Sequence, residues 1–366
     1  MRVGGASTEI EDQPHEPKSL AASDGTALSR AFEADKVAGE VNMMRLTGIA
    51  VAAAAWTLSA CASSPGASSP GDSCAVDLAR VVPWERAPGL TMMRVPFAME
   101  HRGCGKTLVY VGAEHTNDPQ STTFRLIEAV FKSRPVEFVV IEGVQASEGV
   151  NPGWNSPRGL LSAAKQAVRQ KNDSEPFLAI RLADAAHAKV IGGEPEETEI
   201  LAALSAHGFR AEDMFGFYVL RLVRQWQREG SISSPIDPAL DGQIQKLEQW
   251  FVRRARVDAD DLSRVNSYEG FKAWYQATNE ISYEQGFRED GGDAAPAHQV
   301  RPVRKTNVIS DIVTNTREKS IVSTIADAVR DYDSVVVVYG ASHYMADSPA
   351  IAAAFGPPRE LELGLK

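Results

Sequence analysis

Hydrophobic positions along the chain form four short, nearly continuous runs. They fall at residues 107–111, 136–141, 189–191 and 335–339, and each is rich in Val, Ile, Leu or Tyr. Continuous apolar runs of this length are typical of strands that are buried on both faces of a parallel sheet. The pattern therefore predicts four core strands spread over most of the chain.

Segments of helical length alternate with the first three strands, at residues 121–133, 159–170 and 174–188. Asp118-Pro119 is a start signal for the first helix, and Ser174-Glu175-Pro176 is a cap and first turn for the third. Strands that alternate with helices favour an α/β fold with a central, mostly parallel sheet and flanking helices.

The middle of the chain, from 196 to 285, is mostly helical. Residues 212–229 carry large apolar side chains at helical spacing, which we interpret as packing positions: Met214, Phe215, Tyr218, Leu222 and Trp226. The stretch 286–302 is rich in Gly, Asp and Pro and predicts an exposed loop. A long helix at 307–330 leads into the last strand. We expect a single domain over 74–366, with a helical insertion at about 196–300.

The N-terminal region predicts export. Arg45 precedes a short apolar run at 46–57, which is shorter than the roughly 20 residues that span a bilayer and suits a signal peptide. The run ends in Leu58-Ser59-Ala60-Cys61, which resembles a lipobox. We therefore expect a signal peptide at 43–60 and lipidation of Cys61, although a plain signal peptide with an incidental cysteine is the alternative.

The segments on either side of the signal peptide differ in character. Residues 61–73 are rich in Ser, Gly and Pro and predict a flexible, lipidated tether. The residue after the cysteine is Ala62 and not Asp, which by resemblance to known sorting behaviour favours the outer membrane, on its periplasmic side. Residues 1–42 are polar and precede Met43-Met44, so they form either a disordered extension or sequence upstream of the natural start.

The net charge and the cysteines exclude some classes of partner and motif. The formal net charge of −10 argues against nucleic acid as a partner and leaves a lipid anchor as the route to the membrane. The chain has three cysteines and no Cys-x-x-Cys pair, which excludes a zinc ribbon or a thioredoxin-type motif. Export places Cys74 and Cys104 in an oxidising compartment, and we expect them to form a disulfide.

Each predicted strand is followed by glycine with an ionisable residue close by. The four segments are Gly112-Ala113-Glu114-His115, Glu142-Gly143, Gly192-Gly193-Glu194 and Gly340-Ala341-Ser342-His343. Sites in open α/β sheets form at the carboxyl ends of strands, so we expect one shared site. Taken singly, each residue also fits a solvated loop, a structural histidine or an acidic first helical turn.

A cation lies on the apolar stripe of the predicted helix at 307–330. Arg317 is four residues after Val313 and four before Ile321. A buried cation is costly unless it is paired, so we expect Arg317 to bind a strand-end carboxylate. The alternative is that the helix turns Arg317 to solvent. Ser342 lacks the Gly-x-Ser-x-Gly context of a nucleophile, and its neighbour His343 points elsewhere on an extended segment.

These paired Gly-x-x-His motifs resemble a superfamily that includes TraB/PrgY, Tiki, GumN-like, erythromycin esterase and ChaN-type proteins. The resemblance covers about 107–355 and is carried by His115, Glu142, Glu194, Arg317 and His343. It implies an erythromycin esterase/ChaN-like α/β fold and a hydrolase, either a peptidase or an esterase, of the cell envelope. The lipid anchor places this site on the envelope side, where substrates would be peptides, lipids or small imported molecules.

The resemblance implies two enzymatic mechanisms. In the Tiki-like one, His115, Glu142, Glu194 and His343 hold a divalent metal such as Mn, Co or Zn that activates water. In the erythromycin esterase-like one, a histidine–glutamate pair activates water without a metal. Glu114 and Arg317 complete the candidate catalytic set, with Arg317 orienting a carboxylate or stabilising an oxyanion.

The alternative is a binding protein without catalysis. ChaN-type relatives are lipoproteins that bind haem, and Tyr344, His343 or Tyr218 would then serve as axial ligands. The chain has no Cys-x-x-Cys-His motif for covalent haem attachment. An inactive envelope scaffold is the third interpretation.

Overall fold

The computed structural model describes residues 75–82, 94–146, 157–288 and 291–364. The predicted signal peptide, Cys61 and the tether up to residue 73 lie outside these residues. Within them, no helix is both long enough and apolar enough to cross a membrane.

The fold is α/β, as predicted. Six strands form one sheet: β1 (Phe97–Gly103), β2 (Lys106–Ala113), β3 (Phe138–Gln145), β4 (Lys189–Glu194), β5 (Ser334–Gly340) and β6 (Arg359–Glu360). Their order is β4-β3-β5-β2-β1-β6. The pairs β3–β4, β3–β5 and β2–β5 are parallel, whereas β1 is antiparallel to both β2 and β6. The sheet is thus mostly parallel, with an antiparallel edge.

Ten α-helices accompany the sheet in the described part of the chain. They are α1 (Thr122–Ser133), α2 (Pro157–Arg169), α3 (Glu175–Ala185), α4 (Glu197–Ala206), α5 (Ala211–Arg228), α6 (Leu240–Ala255), α7 (Tyr268–Asn279), α8 (Tyr283–Gly286), α9 (Lys305–Asp331) and α10 (Ala341–Phe355). The predicted cap holds at α3, whose N-cap is Ser174. The N-cap of α1 is Ser121, three residues after the predicted start signal at Asp118. The predicted helix ends otherwise differ from the observed ones by a few residues.

Three apolar clusters form the core. One lies on the sheet face covered by α1, α2 and α3, and includes Ile127, Val139 and Leu178. The second lies on the other face, where residues of α9 and α10 pack against β2 and β5. The third is built by the helices between β4 and β5 together with the start of α9. The predicted helical insertion therefore has its own core, and α9 contributes to it and to the sheet.

Two strands and one loop differ from the sequence-based expectation. The polar residues in β1, including Glu100 and Arg102, interrupt its apolar pattern, and β6 has only two residues, so neither was predicted. The described part of 286–302 is mostly loop, as predicted, but most of its residues are buried or half-buried, so the expected exposure was wrong. Asp293 is 2% exposed and binds Arg304, while the amide of Asn307 donates to the backbone of Gly292 and Ala295. These contacts hold the described part of this loop against α9.

Cys104 lies in the turn between β1 and β2 and is disulfide-bonded. Its φ is +54°, so it adopts the left-handed conformation that tight turns require. Cys74, its predicted partner, lies outside the described residues, and the Cys74–Cys104 pairing stays a prediction.

Candidate functional site

The carboxyl ends of the parallel strands bring three of the predicted residues together. His115 follows β2, Glu142 lies in β3, and His343 is in the first turn of α10, directly after β5. Since β2, β3 and β5 are neighbours in the sheet, their ends meet at one edge. The side chains of Glu142 and His343 are 3% exposed and that of His115 is 15% exposed.

Glu142 lies at the centre of this group. Its Oε2 accepts a hydrogen bond from the N–H of Gly340 at 2.7 Å and lies 3.6 Å from Nε2 of His115. Its Oε1 lies 3.5 Å from Nε2 of His343. Burial raises the pKa of Glu142, but the charges of His115, His343 and Arg317 outweigh burial and hold that pKa well below its ordinary value. Glu142 is therefore an ionised carboxylate in a buried place.

Gly340 makes room for this arrangement. A Cβ at this position would lie 2.8 Å from Nε2 of His115 and 3.5 Å from Oε2 of Glu142. A larger residue at the end of β5 would therefore push the imidazole away. This close approach explains why the Gly-x-x-His motif needs its glycine here.

Each histidine also has a second carboxylate close to its Nδ1. Oε2 of Glu175 lies 3.8 Å from Nδ1 of His115, and Oε1 of Glu175 accepts a hydrogen bond from the N–H of Thr116. Nδ1 of His343 lies 2.9 and 3.0 Å from the two oxygens of Glu318 on α9. Each imidazole thus lies between Glu142 and a second glutamate.

His343 carries a proton in this environment. Burial lowers its pKa, but Glu318 and Glu142 on either side raise it well above the ordinary value. An imidazolium has a donor on each ring nitrogen, which matches the acceptors that face Nδ1 and Nε2. His343 is therefore a buried cation between two carboxylates.

The polar chain extends one helical turn further. Asp347 is fully buried, hydrogen bonds to Glu318, and accepts a hydrogen bond from the hydroxyl of Tyr110 at 3.4 Å. Burial and the neighbouring charge of Glu318 raise the pKa of Asp347 well above its ordinary value. Asp347 is therefore protonated. We call the series Glu175, His115, Glu142, His343, Glu318 and Asp347 the carboxylate–histidine chain.

The expectation for Arg317 is confirmed. Its Nε and Nη2 donate to the two oxygens of Glu194 at 2.8 and 3.1 Å, and the residue is 7% exposed. The alternative, in which the helix turns Arg317 to solvent, is wrong. This bidentate pair lies close to the carboxylate–histidine chain, as the contribution of Arg317 to the lowered pKa of Glu142 indicates.

Glu114 is the predicted catalytic residue that the structure places elsewhere. Its side chain is exposed, and its backbone N–H and carbonyl both bond to the hydroxyl of Thr123. Successive side chains on an extended segment point to opposite sides. His115 turns inward, and Glu114 therefore faces outward.

Three residues of the carboxylate–histidine chain were not predicted from the sequence. Glu175 was interpreted only as part of a helix start, and Glu318 and Asp347 were not singled out. A signal for the last two exists: Glu318 is three residues before Ile321 on the buried stripe of α9, and Asp347 is one turn after His343 on α10. Charged residues on buried helix faces therefore point to this site.

The predicted metal ligands do not form one shared metal site in this arrangement. The described residues contain no group of three or more His, Cys, Asp or Glu side chains that could hold an ion. His115 and His343 face different oxygens of Glu142, and both oxygens of Glu194 accept hydrogen bonds from Arg317.

The tyrosines considered as haem ligands lie within the polypeptide core. The hydroxyl of Tyr344 lies 3.1 Å from Nε2 of His101, and the residue is fully buried. The hydroxyl of Tyr218 donates to Glu197 at 2.5 Å. Both hydroxyls thus have protein partners.

A cavity of about 770 Å³ lies away from the strand ends. It is lined by residues of α4, α5 and the segment after α6, including Phe209, Arg210, Asp261 and Arg264. None of its lining residues belongs to the carboxylate–histidine chain.

Comparisons of this protein with protein-family models, with curated proteins and with solved structures found no match.

Proposed function

We propose that this protein is a hydrolase in which His115 and Glu142 activate water. One observation carries the proposal: an ionised, buried Glu142 lies between two imidazoles, each with a second carboxylate behind it. Pairs of titratable groups whose environments separate their protonation states are typical of acid–base catalysis. The resemblance of the Gly-x-x-His motifs to hydrolases supports the same proposal.

The two histidines have different roles in this proposal. His115 is the more exposed, so it can reach a substrate, and its unprotonated form acts as the general base. His343 remains protonated and holds the Glu142 carboxylate in place. The 3.6 Å separation between Nε2 of His115 and Oε2 of Glu142 is too long for a direct hydrogen bond. In the proposed reaction, a water molecule that bonds to both groups is the nucleophile.

The reaction is an acyl transfer to water. His115 Nε2 takes a proton from the water while Glu142 accepts its second hydrogen bond, and the water oxygen bonds to the carbonyl carbon of an ester or amide. The resulting oxyanion is stabilised by the positive charge of Arg317. The C–O or C–N bond to the leaving group then breaks, and the leaving group takes the proton from His115.

A screen of fluorogenic esters and peptides tests the proposal. We expect hydrolysis by the wild type, and a fall in kcat/KM of at least about 100-fold in His115→Ala, which removes the base. His207→Ala is the matched control, because His207 is exposed at the end of α4. The control should stay within about twofold of the wild type. Equal activity of His115→Ala and the wild type would overturn the proposal.

Metal dependence is tested on the same protein. We expect hydrolysis to survive exhaustive chelation, because the proposed base and its carboxylate need no ion. If activity disappears on chelation and returns with Mn²⁺, Co²⁺ or Zn²⁺, the metal mechanism applies instead. Haem addition that produces a Soret band lost in His343→Ala, without hydrolysis, would favour the binding alternative.

We also propose that the protein acts in the cell envelope as a lipoprotein anchored to the outer membrane. The lipobox-like Leu58-Ser59-Ala60-Cys61 and the disulfide at Cys104, which suits an oxidising compartment, support this location. We expect the wild type to incorporate a labelled fatty acid and Cys61→Ala to lose this labelling. Labelling that persists in Cys61→Ala would contradict it.

A further inference from the structure

A second group of buried donors lies next to the candidate site, on α6. Nη1 of Arg254 donates to Oε1 of Gln145 at 2.8 Å. Gln145 is the last residue of β3 and the register partner of Glu194 in β4. Arg254 therefore connects the helical insertion to the strand ends that carry Glu142 and Glu194.

Arg254 is a buried cation that forms no ion pair with a carboxylate in the part of the chain that the structure describes. The residue is 6% exposed, and its Nε–H has no hydrogen-bond acceptor among the described residues. Other arginines near the sheet differ, because Arg181 binds Asp173 and Arg317 binds Glu194, each through two hydrogen bonds. A guanidinium remains protonated in proteins, and an unpaired buried charge is costly.

Trp250 provides a second donor one helical turn before Arg254. It is 2% exposed, and its Nε1–H also has no acceptor in the described part of the chain. The guanidinium carbon of Arg254 lies 5.9 Å from the centre of the Trp250 ring, so the two donors are neighbours. The indole N–H can only donate, as can the guanidinium, so both require an acceptor.

Glu197, the buried carboxyl group whose pKa the charge of Arg254 lowers, does not supply that acceptor. Glu197 accepts its hydrogen bond from Tyr218, and burial raises the pKa of Glu197 to about 7. It is therefore only partly ionised at neutral pH. Positive charge and two donors remain without a full counter-charge.

We propose that Arg254 and Trp250 form a subsite that binds an oxyanion of the substrate, either a carboxylate or a phosphate group. The inference rests on the proposed hydrolase and defines its substrate as an ester or amide that carries an anionic group. Guanidinium and indole N–H donors suit the oxygens of such a group, and burial strengthens the charge-assisted bonds. The subsite lies at the border of the helical insertion, which then selects the substrate.

Anion binding without turnover tests the subsite. The full chain is titrated with inorganic phosphate or with acetate at constant ionic strength, adjusted with chloride, and the Tm is measured. We expect one of the two anions to raise the Tm, since a ligand that binds only the folded state stabilises it. The anion that acts distinguishes a phosphate subsite from a carboxylate subsite.

Variants locate the effect. Arg254→Gln should abolish the rise in Tm, whereas Arg253→Gln, at an exposed position on the same helix, should retain it. Trp250→Phe keeps the aromatic packing and removes one donor, so its affinity for the anion should fall by about tenfold. If circular dichroism shows that Arg254→Gln does not fold, Trp250→Phe serves as the test variant.

The outcomes separate this subsite from the hydrolase itself. An unchanged rise in Arg254→Gln, unchanged affinity in Trp250→Phe, or no rise with either anion in the wild type overturns the subsite. His115→Ala should keep the rise, because it alters only the proposed base. If the anion raises the Tm in an Arg254-dependent way but the protein hydrolyses no substrate, the anion site stands and the hydrolase proposal is rejected.

Discussion

At the scale of single residues, the site is a balance of buried charges. Glu142 remains ionised because the charges of His115, His343 and Arg317 outweigh its burial and lower its pKa. His343 remains protonated because Glu318 and Glu142 lie on either side of it and raise its pKa. Removing one member leaves the others with an uncompensated charge, which is costly in a buried place. Glu142, His343 and Glu318 therefore act as a unit.

The protonation of His343 leads to a pH prediction. Its folded-state pKa is raised, so its stabilising contribution is complete below the ordinary histidine value of 6.5 and decreases as the pH rises toward the folded pKa. We expect the free energy of unfolding of the wild type to fall above pH 6.5, by at most about 1.4 kcal/mol per pH unit from this group. His343→Gln should remove this slope.

NMR of the imidazole nitrogens checks the same residue directly. His343 should remain protonated above pH 6.5, the ordinary histidine value, and the exposed His207 serves as an internal comparison. A neutral His343 at pH 7 would contradict the charge balance described for Glu142 and Glu318.

Sequence position predicts the residues at strand ends better than those on helices. His115, Glu142, Glu194 and His343 follow apolar runs, and the edge of a parallel sheet brings such ends together. Arg317 was found because a cation interrupted an apolar stripe. Glu318 lies beside it, but its contact with His343 depends on the rotation of α9 relative to α10, which a single sequence does not define.

At the scale of elements, the antiparallel edge depends on one buried acid. Glu100 of β1 is 2% exposed and binds Arg102 of its own strand, Arg134 after α1 and Arg359 of β6. Burial raises the pKa of Glu100, but hydrogen bonds from Arg102 and Arg134 outweigh burial and lower that pKa to about 2. This cluster joins β1 and β6 to each other and to the segment after α1.

Replacing this acid should destabilise the edge. We expect Glu100→Gln to lower the free energy of unfolding by about 2 kcal/mol, since three arginines lose their charge partner and two of them are mostly exposed. The loss should be present above pH 4.5 and should disappear as the pH falls through about 2, where wild-type Glu100 is protonated.

Denaturant unfolding at two pH values measures the effect. Glu128→Gln is the matched control, because Glu128 forms an exposed i,i+4 pair with Lys132 and should change stability by less than about 0.5 kcal/mol. Equal stabilities of Glu100→Gln and Glu128→Gln at pH 7 would contradict the role assigned to the cluster.

The elements that sequence patterns missed share a physical reason. In β1, charged and polar residues lie in a strand whose burial comes from arginine partners and from packing at the sheet edge, so hydrophobic periodicity does not indicate it. The segment after α8 is polar, yet Asp293 binds Arg304 and Asn307 binds its backbone. Composition predicts exposure here, whereas specific hydrogen bonds produce burial.

At the scale of the whole molecule, α9 joins the insertion to the sheet. Its first half contributes Ile309 and Val313 to the helical core, and its second half contributes Ile321 and Ile325 to the core on one sheet face. Arg317 and Glu318 lie between these halves and reach the candidate site. The helix thus contributes to both cores and to the site.

This arrangement predicts cooperative unfolding. Val313→Ala and Ile325→Ala should each lower the stability by about 1–4 kcal/mol, because each removes buried methyl groups from a packed core. Calorimetry should show one transition, shifted in both variants, since α9 couples the two cores. Two transitions, each sensitive to only one of the variants, would contradict the single domain over 74–366.

In the proposed mechanism, Glu142 and His115 activate water at the strand ends. The most direct measurement is kcat/KM of Glu142→Gln on the best ester or peptide substrate, with Glu128→Gln as control. Glutamine keeps the acceptor for the Gly340 N–H but removes the charge, so we predict a fall of at least about 100-fold with the fold intact. Activity of Glu142→Gln within about twofold of the wild type would contradict this mechanism.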